Sequence, residues 1–268
     1  MRPVLVALHA HPDDEAIFTG GTIVRAVAAG WRVVLVVATD GDQGVRTGST
    51  AGELASCRRN ETLDAAALLG IERVEFLGYG DSGCPDPVDR TRPGVARARG
   101  VRSGSLAAAH LDRVVDEVRR ILAEEDATAL TSYDDNGVYG HIDHVLVHEI
   151  AVRSVDGTDI ELYESTLDRG ALMRLRTDLL ARGLLPRLWP PSLVDQLGVA
   201  SGPDLVALDL TAELPRKLAA VAAHASQVVE AGSFMGLPAG AFHHLLATEW
   251  FQVARPGSGR FLELGMPA

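Results

Sequence analysis

Short apolar runs alternate with amphipathic stretches from Val4 to Val155. "VLVAL" (Val4 to Leu8) is continuously apolar and reads as a buried strand. "GGTIVRAVAAG" (Gly20 to Gly30) follows as an amphipathic helix stopped by glycine. "RVVLVVAT" (Arg32 to Thr39) is a second, β-branched strand. "GELASCRRNETLDAAALLG" (Gly52 to Gly70) predicts a long helix, again ending at glycine, and "RVEFLG" (Arg73 to Gly78) a third strand. "LDRVVDEVRRILAEED" (Leu111 to Asp126) predicts a third helix, "ATALTSY" (Ala127 to Tyr133) a fourth strand and "HIDHVLVHEIAVRSV" (His141 to Val155) a fourth helix.

Continuous apolar strands alternating with helices define an α/β chain with a mostly parallel, Rossmann-like sheet and helices on both faces. Ligands of such sheets sit beyond the carboxyl ends of the strands. The polar clusters fall there: His11 to Glu15 after strand one, Asp40 to Asp42 after strand two, Asp81 after strand three, Asp134 to His144 after strand four. Four loops are thus expected to converge on one crevice. A dinucleotide site would need G-x-G-x-x-G after strand one. "HAHPDDEAIFTGG" lacks it, so the architecture is expected without that cofactor.

The later part is less regular. "DLVALDL" (Asp204 to Leu210) and "TEWFQVA" (Thr248 to Ala254) read as strands, and "LPRKLAAVAAHASQVVEAG" (Leu214 to Gly232) as a helix. We expect one domain over residues 1–268, with a core over 1–160 and a smaller C-terminal lobe over 161–268 resting on the sheet.

Composition narrows the function classes. A chain of 268 residues, 47% of them hydrophobic, can bury a substantial core. A formal charge of −11 argues against a nucleic-acid or anionic-membrane partner. Lys217 is the only lysine among 25 basic residues, which reads as coding bias. Two cysteines, Cys57 and Cys84, are too few for a disulfide scaffold or a cysteine zinc site, and free thiols in a cytoplasmic protein are the expectation. No run approaches the roughly eighteen apolar residues of a membrane span, and His11 to Glu15 interrupt the apolar start before it could form a signal peptide.

Polar crowding at the end of a buried strand is costly unless the charges are paired. His11 and Asp14 lie three apart, where strand turns into helix, so both can face one point. Asp13 points elsewhere, leaving one aspartate to bind a metal and its neighbour free. "YGHIDH" supplies Tyr139, His141, Asp143 and His144. Two histidines and a carboxylate with one position open form a common catalytic zinc arrangement. A free carboxylate beside it can act as general base for water attacking a carbonyl, and a tyrosine or histidine can stabilise the oxyanion.

"AHPDDE" (Ala10 to Glu15) with "GHIDH" (Gly140 to His144) resembles the LmbE-like, or PIG-L, family of zinc-dependent N-acetylglucosamine deacetylases. "RRNETLDAAALLGI" (Arg58 to Ile71), "FLGYGDSG" (Phe76 to Gly83), "AAHASQ" (Ala222 to Gln227) and "EWF" (Glu249 to Phe251) also look like family segments. The resemblance implies a Rossmann-like sheet with a smaller C-terminal lobe. It implies zinc on His11, Asp14 and His144; donor chemistry alone leaves iron(II) as an alternative there. It implies Asp13 as general base and His141 as acid or electrostatic stabiliser, oriented by Asp143. It implies that Tyr139 polarises the amide oxygen from a loop that can move, and that Arg58 and Asp81 grip sugar hydroxyls. Ile142 stands where the family frequently has proline.

Other polar residues carry plainer expectations. His148 reads as a supporting or surface residue, His9 as packing, Asp40 and Asp42 as loop formers or ligand contacts, and "GDSG" (Gly80 to Gly83) as a turn. His224, Ser226 and Gln227 read as capping or lobe packing, and His243 and His244 as surface. The arginine-rich segment Asp89 to Arg102 reads as a solvated loop or a lid. The apolar segments Ala231 to Phe242 and Leu184 to Val194 read as lobe packing or a wall for a bulky aglycone. The expected reaction is hydrolysis of the N-acyl, foremost N-acetyl, group of a small-molecule amino-sugar conjugate: a thiol-pathway glucosaminyl-inositol or, with a mild tilt from these loops, a glycosylated natural product. An amidase for larger acyl groups and a non-catalytic sugar-binding protein are the alternatives.

Overall fold

The computed structural model describes residues 2–45, 50–83, 101–184, 194–227 and 239–264. Among the described residues seven strands form one sheet in the order β3-β2-β1-β4-β5-β7-β6. They are β1 (Val4–His9), β2 (Arg32–Thr39), β3 (Arg73–Tyr79), β4 (Ala129–Tyr133), β5 (Glu161–Thr166), β6 (Leu205–Asp209) and β7 (Thr248–Arg255). The first five are mutually parallel, and β7 runs antiparallel between β5 and β6.

The apolar strands are buried on both faces, and their side chains alternate between two cores. Leu5 and Ala7 of β1 and Val33, Leu35 and Val37 of β2 enter one core. Val4, Val6, Leu8, Val34, Val36 and Ala38 enter the other. The first core packs under α2 (Gly20–Ala28), α3 (Ala51–Leu69), α7 (Arg169–Ala181) and α8 (Leu214–Ala223). The second packs under α4 (Leu111–Glu124) and α6 (Ile142–Val155). Each fully buried Val, Leu or Ile contributes about 1.5–3 kcal/mol, so this two-faced burial dominates the fold's stability. Shorter helices are α1 (Asp14–Phe18), α5 (Gly137–Gly140), α9 (Ala239–Leu246) and α10 (Arg260–Glu263).

Helix ends follow local chemistry. Thr50 and Glu53 form a reciprocal capping box at the start of α3, and Gly70 ends it at φ 86°. Strand order reverses between β1 and β4. That switch point opens a crevice at their carboxyl ends, into which α1 and α6 project their first turns.

The α/β class, the parallel sheet and the four early strands match the sequence pattern. The pattern missed β5 and α7. β5 reads "ELYEST", with Glu161 and Glu164 breaking the apolar run, yet both are buried against partners distant in sequence. The helix read over 214–232 stops at Ala223, where His224 leaves helical conformation at φ −79°, ψ 53°. Residues 84–100, 185–193 and 228–238 lie outside the described residues, so most of the arginine-rich and apolar segments do too.

Candidate active site

His11 follows β1 by two residues, and His144 sits in the first turn of α6. Nδ1 of His11 and Nε2 of His144 face each other at 3.2 Å. Oδ2 of Asp14 lies 3.4 Å from the first and 3.3 Å from the second. Three donor atoms therefore form a nearly equilateral triangle. Ligands about 2.0–2.1 Å from a tetrahedral zinc are separated by about 3.3–3.4 Å, so the triangle fits such an ion. All three residues are at least nine-tenths buried. His11, Asp14 and His144 could thus hold a metal, the set that the resemblance implies.

The surroundings fix each donor. Tyr133 stacks on His144 with ring centroids 4.1 Å apart and donates its hydroxyl to Asp14 Oδ2 at 2.8 Å. The backbone N–H of His11 donates to the same oxygen at 2.8 Å. Burial opposes ionisation of Asp14, but His144 and His11 beside it hold its carboxyl well below the usual range. Nε2 of His11 meets Asp143 Oδ2 at 3.2 Å, leaving Nδ1 aimed at the triangle. Ser82 N–H holds the same Asp143 oxygen at 2.9 Å.

This arrangement differs from the expectation that Asp143 orients His141. The Asp143 carboxylate is taken by His11 and Ser82, and His141 meets Asp143 through its backbone. Nδ1 of His141 accepts the Asp143 N–H at 3.2 Å and caps α6. Burial, with His11 and His144 nearby, pushes His141 down to about 3. A neutral imidazole that accepts at Nδ1 carries its proton on Nε2, so His141 offers the site a hydrogen-bond donor. Tyr139 brings its hydroxyl to 3.2 Å from Nε2 of His144. It sits between two left-handed residues, Val138 (φ 65°) and Gly140 (φ 88°).

Asp13 and Asp14 diverge. Asp13 occupies the N-cap of α1 at φ 104°, ψ −28°, unusual for a residue with a side chain. Its Oδ2 pairs with Nη2 of Arg58 at 2.9 Å. Burial lifts the Asp13 carboxyl to about 6, against the pull of Arg58. Arg58 is 3% exposed, and it also donates Nη1 to the carbonyl of Gly41 at 2.9 Å and Nη2 to that of Pro12. Gly41 has to be glycine here, because a Cβ would lie 2.6 Å from that guanidinium. Asp81 is 3.7 Å from Nε2 of His11 and accepts the Gly83 N–H at 2.7 Å, in the expected turn.

His11, Asp13, Asp14, Arg58, Asp81, Tyr139 and His141 line one cavity of about 380 Å³. Its walls also include residues that sequence did not assign to the site, among them Gln43, Val45, His224 and Gln227. His224 bonds Glu15 at 2.6 Å, Ser226 N–H bonds Glu61 at 2.6 Å, and Gln227 Oε1 accepts the Val45 N–H at 3.1 Å. Segments 58–71 and 222–227 thus meet at the site, beyond the packing role expected of the second. Tyr133 and Ser82 also went unassigned; a tyrosine closing a buried strand beside the histidine loop was the available signal.

The plainer expectations hold for several residues. His9 is buried against the Tyr133 hydroxyl at 3.0 Å, and His148 pairs with Glu164 at 3.1 Å. Asp42 accepts Arg102 and the Asp81 N–H, bracing loops rather than standing alone. His243 and His244 are exposed.

A doubly wound sheet with a buried two-histidine, one-carboxylate triangle and a separate carboxylate at its switch point is the arrangement of a hydrolase with a candidate metal centre. Residues 6–155 match the family model PIG-L, GlcNAc-PI de-N-acetylase. A 1D-myo-inositol 2-acetamido-2-deoxy-alpha-D-glucopyranoside deacetylase of Acidothermus cellulolyticus is 33% identical over 94% of this chain and 88% of its own length. N,N'-diacetylchitobiose deacetylase from Pyrococcus horikoshii shares the fold at a TM-score of 0.61 and 22% identity, covering 96% of this chain and 85% of that one. The zinc inhibited form of teicoplanin deacetylase shares it at 0.60 and 18%, covering 93% and 98%. The chain belongs to the PIG-L family of N-acetylglucosamine de-N-acetylases, amidohydrolases acting on linear amides. Among the described residues no helix is long and apolar enough to cross a membrane.

Proposed function

We propose that this chain hydrolyses the N-acetyl amide of a 2-acetamido-2-deoxyglucosyl unit joined to an inositol, releasing acetate and the free amine. The observation that carries the reaction is the His11–Asp14–His144 triangle with Asp13 beside it and engaged elsewhere. The inositol is supported by the name of the relative that matches nearly the whole chain. His11, Asp14 and His144 would hold zinc, which would supply Lewis-acid chemistry there; iron(II) suits the same donors.

The chain's own groups do the rest. Asp13, held by Arg58, takes a proton from the attacking water and passes it to the amine nitrogen as the C–N bond breaks. A carboxyl lifted to about 6 is ionised at neutral pH yet basic enough for that transfer. Tyr139 and the Nε2–H of His141 hydrogen-bond the amide oxygen as it gains charge. Asp81, on the cavity wall, accepts from a sugar hydroxyl. Arg58 gives both Nη2 hydrogens to Asp13 and Pro12 and one Nη1 hydrogen to Gly41, which leaves the second Nη1 hydrogen for a sugar hydroxyl.

The test is acetate release from a panel of acetamido sugars linked to inositol, to a second acetamido sugar and to a glycopeptide aglycone. The inositol conjugate is expected to have the highest kcat/KM. A higher value for the glycopeptide would move the substrate to a bulky natural product, and release of only larger acyl groups would make the chain an amidase.

A further inference from the structure

We infer that Glu15 and His224 are positioning residues for Asp13: their hydrogen-bonded pair holds the backbone amide of the base and so aims its carboxylate. The inference rests on the deacetylase reading. Consecutive aspartates must serve two directions, Asp14 the metal triangle and Asp13 the guanidinium of Arg58. The chain separates them by placing Asp13 at φ 104°, a backbone conformation that a residue with a side chain keeps only when its surroundings enforce it. The enforcing contact is visible. The Asp13 N–H donates to Oε2 of Glu15 at 3.0 Å, two residues along the same turn.

Glu15 is itself held from outside its helix. Its second oxygen, Oε1, takes Nε2 of His224 at 2.6 Å, across 209 residues of sequence. His224 ends α8, the helix packed over α1 and α3, so one residue couples the later part of the chain to the catalytic turn. Glu15 is wholly buried and His224 is 1% exposed. Leaving two ionisable side chains there costs desolvation that an apolar pair of equal size would avoid. His224 does little else for the packing by hydrogen bonding, since its Nδ1 is buried without a partner among the described residues. Neither residue touches the triangle.

The experiment measures kcat, KM and bound zinc for His224→Ala, Glu15→Ala and Glu15→Gln, alone and with Asp13→Ala, on acetamidoglucosyl inositol. His224→Ala and Glu15→Ala should keep wild-type zinc, and Glu15→Ala wild-type KM, with kcat lower by about ten- to a hundredfold, while Glu15→Gln recovers to within about fivefold because an amide oxygen still accepts from Asp13. In the Asp13→Ala background neither alanine variant should lower the residual kcat further. An equal loss in both backgrounds, or a loss carried by zinc in either variant or by KM in Glu15→Ala, would overturn the inference. If an alanine variant fails to fold, His224→Phe and Glu15→Met, closer in volume and without an acceptor, provide the same cycle. No acetate release by the unmodified protein counts against the proposed substrate alone. Crystal structures then decide: Asp13 leaving positive φ in His224→Ala supports the inference, and an unchanged Asp13 overturns it.

Discussion

Asp143 places a carboxylate oxygen 3.2 Å from Nε2 of His11, with the Ser82 N–H holding that oxygen from the other side. The pair turns Nδ1 of His11 toward Asp14 and His144. Such outer partners fix the tautomer and ring direction of a ligating histidine. Asp143→Asn should therefore weaken zinc binding by about 10- to 100-fold, measured by competition with a chelator. Unchanged affinity would mean that His11 needs no such partner.

Asp13 and Asp14 should separate cleanly on substitution. Asp13→Asn is expected to keep zinc and lower kcat by about 10²–10⁴-fold, the usual worth of a general base. Asp14→Asn should instead lose the metal. Metal analysis beside kcat distinguishes them, and zinc loss in both would show that the two roles are exchanged.

Lys217 and Glu249 form a buried ion pair at 2.7 Å, and Glu249 also accepts the N–H groups of Gly21 and Thr22 in the first turn of α2. Lys217→Met leaves that carboxylate without its cation. The expected cost is about 3–5 kcal/mol, read from the denaturant midpoint. A variant as stable as the parent would show that the amides alone satisfy Glu249.

Glu161 gathers the N–H groups of Gly259 (2.8 Å) and Phe261 (3.4 Å) and the hydroxyls of Tyr163 (2.9 Å) and Ser258 (2.7 Å). Burial opposes its ionisation, but these donors, Ser258 first, hold its carboxyl below the ordinary 4.5. A folded pKa below the unfolded one stabilises the protein above the unfolded value, and the benefit is lost as pH falls through the folded value. Glu161→Gln should thus cost about 1.5–3 kcal/mol at neutral pH, and the difference should shrink as pH drops below about 4.5. A difference independent of pH would assign the loss to shape instead of charge.

The early fold is legible because its cores are made of local patterns. Val33 to Ala38 alternate between two buried faces, and a strand buried on both sides must read as a continuous apolar run. β5 hides because Glu161 looks like surface until the Gly259 turn, about a hundred residues later, covers it. The His11 and Asp14 pair is legible from spacing. The Glu15–His224 contact is not, since nothing within "AAHASQ" names a partner 209 residues away. The resemblance pairs Asp143 with His141, and local sequence alone does not show that its carboxylate also reaches His11. The first turn of α6 points the carboxylate at His11.

The most direct test of the account is acetate release from acetamidoglucosyl inositol by the chelator-stripped protein, before and after one equivalent of zinc. The account predicts no release by the stripped protein, recovery on zinc addition, and no recovery in His144→Ala. Equal turnover with and without metal, in the parent or in that variant, would contradict it.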